Sequence, residues 1–362
     1  MKRASDDGEE FCSKAQDYVR NDFYVDDGPT SRATVEETIK LVDSAVKLCD
    51  KAGLLLHKWV SNNREVISSI PAELRAKEVQ QLKPGDKLPT VRVLGVLRCA
   101  ETDSFYFKMD LDEQSVSRRG ILSTVCSVYD PLGFLAPVML TGKAILQGLC
   151  KEGIGWDDPV PDDLKVKWTK WRNDLNKLEV LRINRCIKPD NTNVASLELH
   201  HFSDASEAGY GQCSYLRVLY RDGGVNVSFV TGKARVMPLN RRITIRLELT
   251  AAVVSARVSA YLRKELRLNG VKVYYWTDSK VVICYLKSET KRFKIYVSNR
   301  VQLICDLTKM DQWKYVRSED NPSDEGNRGM TAAQLVANPR WLNGPKFIWN
   351  KKFEPSKVAD AN

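Results

Sequence analysis

Two spacings of apolar residues recur along the chain, one typical of helices and the other of strands. Residues 34–53, TVEETIKLVDSAVKLCDKAG, predict an amphipathic helix that begins at a Thr34–Glu37 capping box and ends at Gly53. The preceding residues, 1–20, predict an irregular start. After this helix we expect strands at 54–61, 91–98 and 104–111, helices in 117–153 interrupted at YDPLGFLAP, and another helix within 157–190.

From about residue 194 the pattern changes to long strands followed by alternating helices and strands. Three predicted strands, LELHHFSDAS, GYGQCSYLRVLY and VNVSFVTGKARV, precede the helix LELTAAVVSARVSAYLRKEL. The strand VKVYYWTDS, the helices SKVVICYLKS and NRVQLICDL, the strand DQWKYVRS and a helix at NPSDEGNRG follow. An antiparallel start followed by strand–helix alternation predicts an α/β or α+β domain with a mixed sheet.

Composition is that of a soluble globular protein, with 43% hydrophobic and 28% charged residues among 362. No apolar run approaches the ~20 residues of a membrane helix, and the polar start, MKRASDDGEE, does not resemble a signal peptide. Nine scattered cysteines without CxxC pairs and only three histidines argue against disulfides and a zinc site. We therefore expect an intracellular protein, cytoplasmic or nuclear, with reduced thiols.

The positive charge is concentrated in one segment. Residues 233–300 hold 16 Lys and Arg against 4 Asp and Glu, a local net charge of +12 within a chain of net charge +10. A generally basic surface would spread its charge evenly, whereas a basic block favours a polyanionic partner, of which nucleic acid is the simplest. The sequence therefore predicts a nucleic-acid-binding face in this segment.

Four acidic residues stand at the ends of predicted elements in the same half: Asp204, Glu248, Asp278 and Asp324. The first and fourth strands can be neighbours, which would bring Asp204 and Asp278 together, and helix starts could add the other two. Crowded carboxylates repel one another unless cations neutralise them, and oxygen ligands suit Mg²⁺ or Mn²⁺, commonly as a pair of ions. Each acid taken singly is better explained as a capping or solvated residue, whereas all four in this order of elements favour a metal site.

Taken together, SDASEAGYG, RLELTAA, WTDSK and NPSDEGNRG resemble the four catalytic blocks of the ribonuclease H-like domain in BEL/Pao retrotransposon polyproteins. FYVDDG resembles their second reverse-transcriptase palm motif, and HKWVSN, YDPLGFLAPV and WLNGPKFIW resemble further blocks in the same order. The resemblance implies an α+β fold: a partial palm at 1–112, a connection at 113–193, a ribonuclease H-like mixed five-stranded sheet with flanking helices at 194–335, and a tail at 336–362.

The resemblance also implies a function, in which Asp204, Glu248, Asp278 and Asp324 bind two Mg²⁺ or Mn²⁺ ions and hydrolyse the RNA strand of an RNA–DNA hybrid. Basic and aromatic residues beside them would contact the nucleic acid. These are Lys233, Arg235, Arg241, Arg242, Arg246, Lys280, Lys291, Arg292, Phe293, Lys294 and Tyr296. Many ribonucleases H also use a histidine near the last acid, but His200 and His201 are expected to be strand residues near the core.

Asp26 and Asp27 of FYVDDG would form an incomplete polymerase metal site at a hairpin tip. The third carboxylate comes from an earlier strand in reverse transcriptases, and only 22 residues precede Phe23. We expect no polymerase activity unless another polypeptide, such as a full-length reverse transcriptase, supplies the missing part. A partial palm would also leave the helix at 34–53 with an apolar stripe that has little to pack against.

Other interpretations remain open at this point. The chain could be a non-catalytic nucleic-acid-binding relic or a decayed retroelement copy. An aspartic peptidase is disfavoured because the sequence contains no Asp-Thr-Gly or Asp-Ser-Gly triplet.

Overall fold

A computed structural model describes residues 2–6, 13–83, 85–111, 114–189, 193–239, 244–288 and 292–355. The chain forms two compact units, one of residues 1–107 with 181–186 and the other of residues 108–180 with 187–362. The first unit holds helices α1 (Lys2–Asp6), α2 (Ser13–Asn21), α3 (Val35–Lys51), α4 (Arg64–Ser69) and α5 (Lys77–Gln80). Its antiparallel sheet has the order β1 (Thr90–Val93), β2 (Val96–Cys99), β3 (Ser104–Tyr106) and β4 (Ile183–Asn184).

Helix α3 confirms the prediction for residues 34–53. The Thr34 hydroxyl accepts a hydrogen bond from the Glu37 amide at 3.2 Å, and Gly53 ends the helix with a φ of +70°. The expectation of an uncovered apolar stripe is wrong, because Ala45 and Leu48 pack with Val19 of α2 in one buried cluster. Residues 13–21, expected to be irregular, form the helix that provides this cover.

Two strand predictions in the first unit are also wrong. Within residues 54–61 only Trp59 forms a bridge, to Arg75, and Lys58 has a φ of +62° that interrupts an extended chain. Residues 91–98 form two strands rather than one. Leu94 and Gly95, with φ values of 48° and 82°, make the two-residue turn of a hairpin between β1 and β2.

The second unit is built on a five-stranded sheet with helices on both sides. Its strands are β5 (Val194–Ala205), β6 (Gly209–Tyr220), β7 (Val225–Val236), β8 (Lys272–Thr277) and β9 (Trp313–Tyr315). Its helices are α6 (Arg118–Ser127), α7 (Ala136–Lys151), α8 (Asp162–Asp174), α9 (Thr244–Glu265), α10 (Lys280–Lys287), α11 (Ile295–Leu307), α12 (Ser323–Arg328), α13 (Ala332–Ala337) and α14 (Arg340–Asn343).

The sheet has the order β7-β6-β5-β8-β9. Strand β6 pairs antiparallel with both β5 and β7, whereas β8 lies parallel to β5 and β9. The predicted α+β class with a mixed five-stranded sheet and flanking helices is therefore confirmed.

Alternate residues of the central strands face two different cores. On one face Leu199 and Tyr275 pack with Leu249 and other apolar residues of α9. On the other face Phe202 stacks on Trp276, and Phe347 from the segment after α14 lies against both. Both faces of the strands that end at the acids are thus buried, which keeps the strand ends in place.

None of the helices described is long and apolar enough to cross a membrane.

Candidate active site

The adjacent parallel strands β5 and β8 bring two of the predicted acids together. Ser203 is the register partner of Thr277, so that Asp204 and Asp278 follow at the same edge of the sheet. Their carboxylates lie within hydrogen-bonding reach of each other. The expected neighbourhood of these two strand ends is thus present in the fold.

Asp204 is the most buried of the four acids, with 7% of its surface exposed. Its Oδ1 accepts a hydrogen bond from the Ala205 amide at 2.7 Å, and its Oδ2 accepts one from the Asn327 side chain. Burial raises the pKa of Asp204 to about 8, and the carboxylates of Asp278 and Asp324 contribute to the increase. The Asp204 carboxylate is therefore buried beside two further carboxylates, those of Asp278 and Asp324.

Two serines fix the acids next to Asp204. The Ser318 hydroxyl donates to Asp278 Oδ2 at 2.5 Å, and the Ser279 hydroxyl donates to Glu248 Oε2 at 2.6 Å. Ser279 also accepts from the Val282 amide as the N-cap of α10. This chain of contacts connects Glu248 on α9 to the end of β8, where Asp278 lies.

Asp324 reaches the site from the first turn of α12. Arg328 Nε lies 2.5 Å from its Oδ1 and forms an ion pair with it. The angle between the two groups is not that of a hydrogen bond. Asp324 is half-buried and contributes to the negative potential at Asp204. All four predicted acids therefore lie at one end of the sheet, three of them close enough to interact electrostatically.

Metal binding requires not only that the acids be close together but also that their side chains be arranged around one ion. In the part of the chain that the structure describes, no three His, Cys, Asp or Glu side chains are arranged to hold a metal ion. The donor set nevertheless fits Mg²⁺ or Mn²⁺, since all four side chains offer carboxylate oxygens. The buried position of Asp204 beside the carboxylates of Asp278 and Asp324 also fits a cation.

Asp26 and Asp27 lie elsewhere, in the first unit. Tyr24 and Asp27 exchange two backbone hydrogen bonds around the exposed tip, so that the predicted tight hairpin is present. Asp27 Oδ2 accepts from the Leu94 amide at 3.0 Å, a contact within the first unit. Among the described residues no third acid joins this pair in a metal-binding group.

The predicted nucleic-acid-binding residues differ in exposure. Four cations, Lys233, Arg235, Arg292 and Lys294, are exposed, and Lys280 lies 5.3 Å above the Tyr315 ring. Phe293 packs edge-on against Tyr285, so part of its ring is covered by a contact within the protein. Arg241, Arg242 and Lys291 lie outside the described residues.

Tyr296 is held between two arginines. The Arg300 guanidinium lies 3.5 Å from the ring centroid and that of Arg246 lies 5.1 Å from it, while the Tyr296 hydroxyl and the Thr250 hydroxyl are 3.0 Å apart. Arg246 is two residues from Glu248 on α9. The Tyr296 ring thus carries two guanidinium groups, and one of them, that of Arg246, lies on the same helix as Glu248.

His200 and His201 are fully buried strand residues, as predicted. Trp276 Nε1 donates to His200 Nδ1 at 3.1 Å, and His201 Nδ1 lies 2.7 Å from the Ser214 hydroxyl. Burial lowers the pKa of both imidazoles, that of His201 to about 3. Both histidines consequently belong to the core and not to the acid cluster.

The sheet order β7-β6-β5-β8-β9 with flanking helices is that of a ribonuclease H-like α+β fold. Residues 117–279 match the family described as "Pao retrotransposon-like RNaseH-like domain", which confirms the BEL/Pao resemblance. The match includes Asp204, Glu248 and Asp278 and begins at the start of α6. No curated protein matches the chain.

Several solved structures are similar in part. The N-terminal RNase H domain of a Mycobacterium tuberculosis protein, fused to maltose-binding protein, is 12% identical over 39% of this chain and 99% of that one, with a TM-score of 0.23. RNase H1 from the archaeon Halobacterium salinarum NRC-1 is 11% identical over 40% of this chain and 100% of that one, also with a TM-score of 0.23. A foamy viral protease-reverse transcriptase with dsDNA is 12% identical over 64% and 45%, with a TM-score of 0.19.

Four polar neighbours of the site were not predicted: Ser279, Ser318, Asn327 and Arg300. Two had a usable sequence pattern, since Asn327 is three residues after Asp324 and Arg300 four after Tyr296, which are neighbouring positions on a helix. Ser318 had none, because its contact with Asp278 depends on where the chain runs after β9.

Proposed function

We propose that the second unit is a ribonuclease H-type endonuclease that hydrolyses the RNA strand of RNA–DNA hybrids with two Mg²⁺ or Mn²⁺ ions. The observation that supports this most is the burial of Asp204 beside Asp278, at the ends of two parallel strands, and beside Asp324 of α12. A buried group of like charges is costly for folding, and perturbed acids of this kind concentrate at functional sites.

The four acids would share the task of binding the metal ions. Asp204, Glu248, Asp278 and Asp324 would hold the ions, which when bound supply Lewis-acid stabilisation and a water nucleophile at neutral pH. Ser318 and Ser279 would keep the carboxylates of Asp278 and Glu248 oriented through their hydrogen bonds.

Nucleic-acid binding is the second part of the proposal. Arg246 and Arg300, whose guanidinium groups lie over the Tyr296 ring, would contact backbone phosphates. The exposed Lys233, Arg235, Lys280, Arg292 and Lys294 would add sequence-independent attraction along the same block. The proposed partner is therefore an RNA–DNA hybrid.

For the first unit we propose no polymerase activity from this stretch alone. Asp26 and Asp27 are exposed, and Asp27 is already bonded to the Leu94 amide. Two carboxylates without a third would hold an ion weakly. Adding a full-length reverse transcriptase to the assay would test whether a partner restores synthesis.

The experiment that tests the nuclease uses the full chain, a hybrid with end-labelled RNA, and Mg²⁺ or Mn²⁺. Asp278→Asn removes one ligand charge, and we expect cleavage to fall at least about 100-fold while hybrid binding is retained. Asp306→Asn makes the same charge change at an exposed position of α11 and should cleave like the unchanged chain. Equal cleavage by Asp278→Asn, or none by the unchanged chain, would contradict the proposal.

A second candidate function is binding without cleavage. It is favoured by the lack of coordination geometry among the described acids and by the two arginines on Tyr296. Tight, salt-sensitive binding of the hybrid with no metal-dependent cleavage would identify this alternative.

A further inference from the structure

Asn327 is a buried amide that contacts the most buried acid of the site. It is 0% exposed, and its Nδ2 donates a hydrogen bond to Asp204 Oδ2. Its other polar atom, Oδ1, forms no hydrogen bond with any described group. A buried amide with one unsatisfied polar atom destabilises the folded state. Fold stability alone therefore does not account for an asparagine at this position.

The surroundings hold Asn327 and Asp204 in a fixed relation. On either side of Asp204, Ser203 O accepts from the Asn321 side chain at 3.2 Å, and the Ser206 hydroxyl donates to Asn327 O at 3.1 Å. Helix α12 is thereby tied to β5 at both flanks of the acid. Asp324 and Asn327 are three residues apart on this helix, so both face the same side.

The close approach of α12 to β6 depends on Gly211. Gly211 is the register partner of Asp204 on β6, and a Cβ there would lie 2.8 Å from the carbonyl carbon of Gly326 and 3.1 Å from the Asn327 nitrogen. Contacts this short are possible only because residue 211 has no side chain. The backbone beside Asp204 is thus shaped so that the Asn327 amide reaches it.

We propose that Asn327 is a positioning residue that orients the Asp204 carboxylate for a divalent cation. Each Asp204 oxygen accepts one hydrogen bond, from Ala205 and from Asn327, which leaves one lone pair on each oxygen for an ion. Donors that fix a ligating carboxylate in this way typically change metal affinity 10–100-fold when removed. The inference rests on the proposed function, because it requires a cation at Asp204.

The test measures Mn²⁺ binding to the full chain without substrate, by electron paramagnetic resonance, and thermal unfolding of the same samples. We expect Asn327→Ala to weaken Mn²⁺ binding about 10-fold or more. Ser323→Ala is the matched control, because Ser323 is equally buried on α12 but donates to a backbone oxygen, Phe202 O, at 3.3 Å. It should bind Mn²⁺ like the unchanged chain even where its melting temperature falls.

Cleavage provides a second readout. For Asn327→Ala the Mn²⁺ concentration at half-maximal cleavage should rise about 10-fold, and saturating Mn²⁺ should restore most of the rate. Unchanged or tighter Mn²⁺ binding by Asn327→Ala would overturn the inference while leaving the nuclease intact. Absence of Mn²⁺ binding by the unchanged chain would instead overturn the proposed function, and this inference with it.

Discussion

At the scale of single residues, the Arg246–Tyr296–Arg300 stack is the clearest binding feature outside the acid cluster. Two guanidinium groups face one ring, and neither forms an ion pair with a carboxylate in the described part of the chain. Like charges this close repel each other unless an anion lies near them. A phosphate group would supply that negative charge.

Arg300→Ala should therefore weaken hybrid binding and its salt dependence together. Loss of one phosphate contact reduces the slope of log K against log salt concentration by about 1. Arg119→Ala is the control, since the Arg119 guanidinium is exposed and already paired with Asp157 at 2.8 Å. Fluorescence anisotropy over a salt series measures both variants, and equal slopes for the two would remove Arg300 from the binding face.

His201 gives a prediction on pH. Its folded-state pKa, lowered by burial to about 3, lies below the ordinary value of 6.5, so that the unfolded chain binds the proton more readily. The buried imidazole therefore does not reduce the unfolding free energy above about pH 6.5, and it reduces it increasingly as the pH falls towards 3. At pH 5 the loss amounts to about 2 kcal/mol.

The variant His201→Gln removes this titration and retains a polar group beside the Ser214 hydroxyl. The difference in unfolding free energy between pH 7.5 and pH 5 should shrink by about 2 kcal/mol in the variant. Urea unfolding followed by tryptophan fluorescence measures it. Burial also lowers the pKa of His200, so His200 causes part of the pH dependence of the unfolding free energy in both proteins. An unchanged difference would show that His201 is accessible to protons in the folded state.

At the scale of elements, the packing of α12 on β6 decides whether Asp324 and Asn327 reach Asp204. Gly211→Ala would force the two elements apart, since the nearest atoms are backbone and cannot rotate away. We expect the unfolding free energy to fall by about 1–3 kcal/mol and cleavage to fall with it.

Gly148→Ala provides the control within α7. Its Cβ would meet only the Leu164 side chain, at 3.4 Å, and alanine favours the helix by up to about 1 kcal/mol. Urea unfolding of both variants should give changes of opposite sign. A Gly211→Ala protein as stable as the unchanged chain would mean that α12 adjusts without moving the site.

Local patterns predicted the elements well where one short signal decides the structure. The capping residue Thr34 and the terminal Gly53 define α3, and the predicted bounds 209–220 and 225–236 are those of β6 and β7. The hairpin at Leu94–Gly95 was missed because an apolar residue occupies a left-handed turn position that Asn or Gly usually takes. The helical spacing from Asp324 indicates that Asn327 lies near the site, but the acid that Asn327 contacts, Asp204, is 123 residues away in the sequence, and no local pattern shows that contact.

At the scale of the whole molecule, the second unit begins before the ribonuclease H-like boundary predicted at residue 194. The loop before α7 is hydrogen-bonded to the edge of β7. Leu132 O accepts from the Gly232 amide at 2.8 Å and from the Thr231 hydroxyl at 3.0 Å. Trp341, fully buried, donates to Gly133 O at 3.1 Å. The family match, which begins at residue 117, includes this loop as well.

These contacts predict that residues 187–355 do not fold alone, whereas residues 108–355 do. Without α7 and its preceding loop, the edge of β7 loses its partner, Phe229 loses its contact with Phe134, and Trp341 loses its acceptor, Gly133 O. An exposed strand edge beside an apolar patch favours aggregation. We expect the longer fragment to be monomeric by size-exclusion chromatography and to unfold cooperatively in urea, and the shorter one to aggregate. A monomeric 187–355 fragment of equal stability would instead show that an independently folding domain begins near the boundary predicted from the sequence.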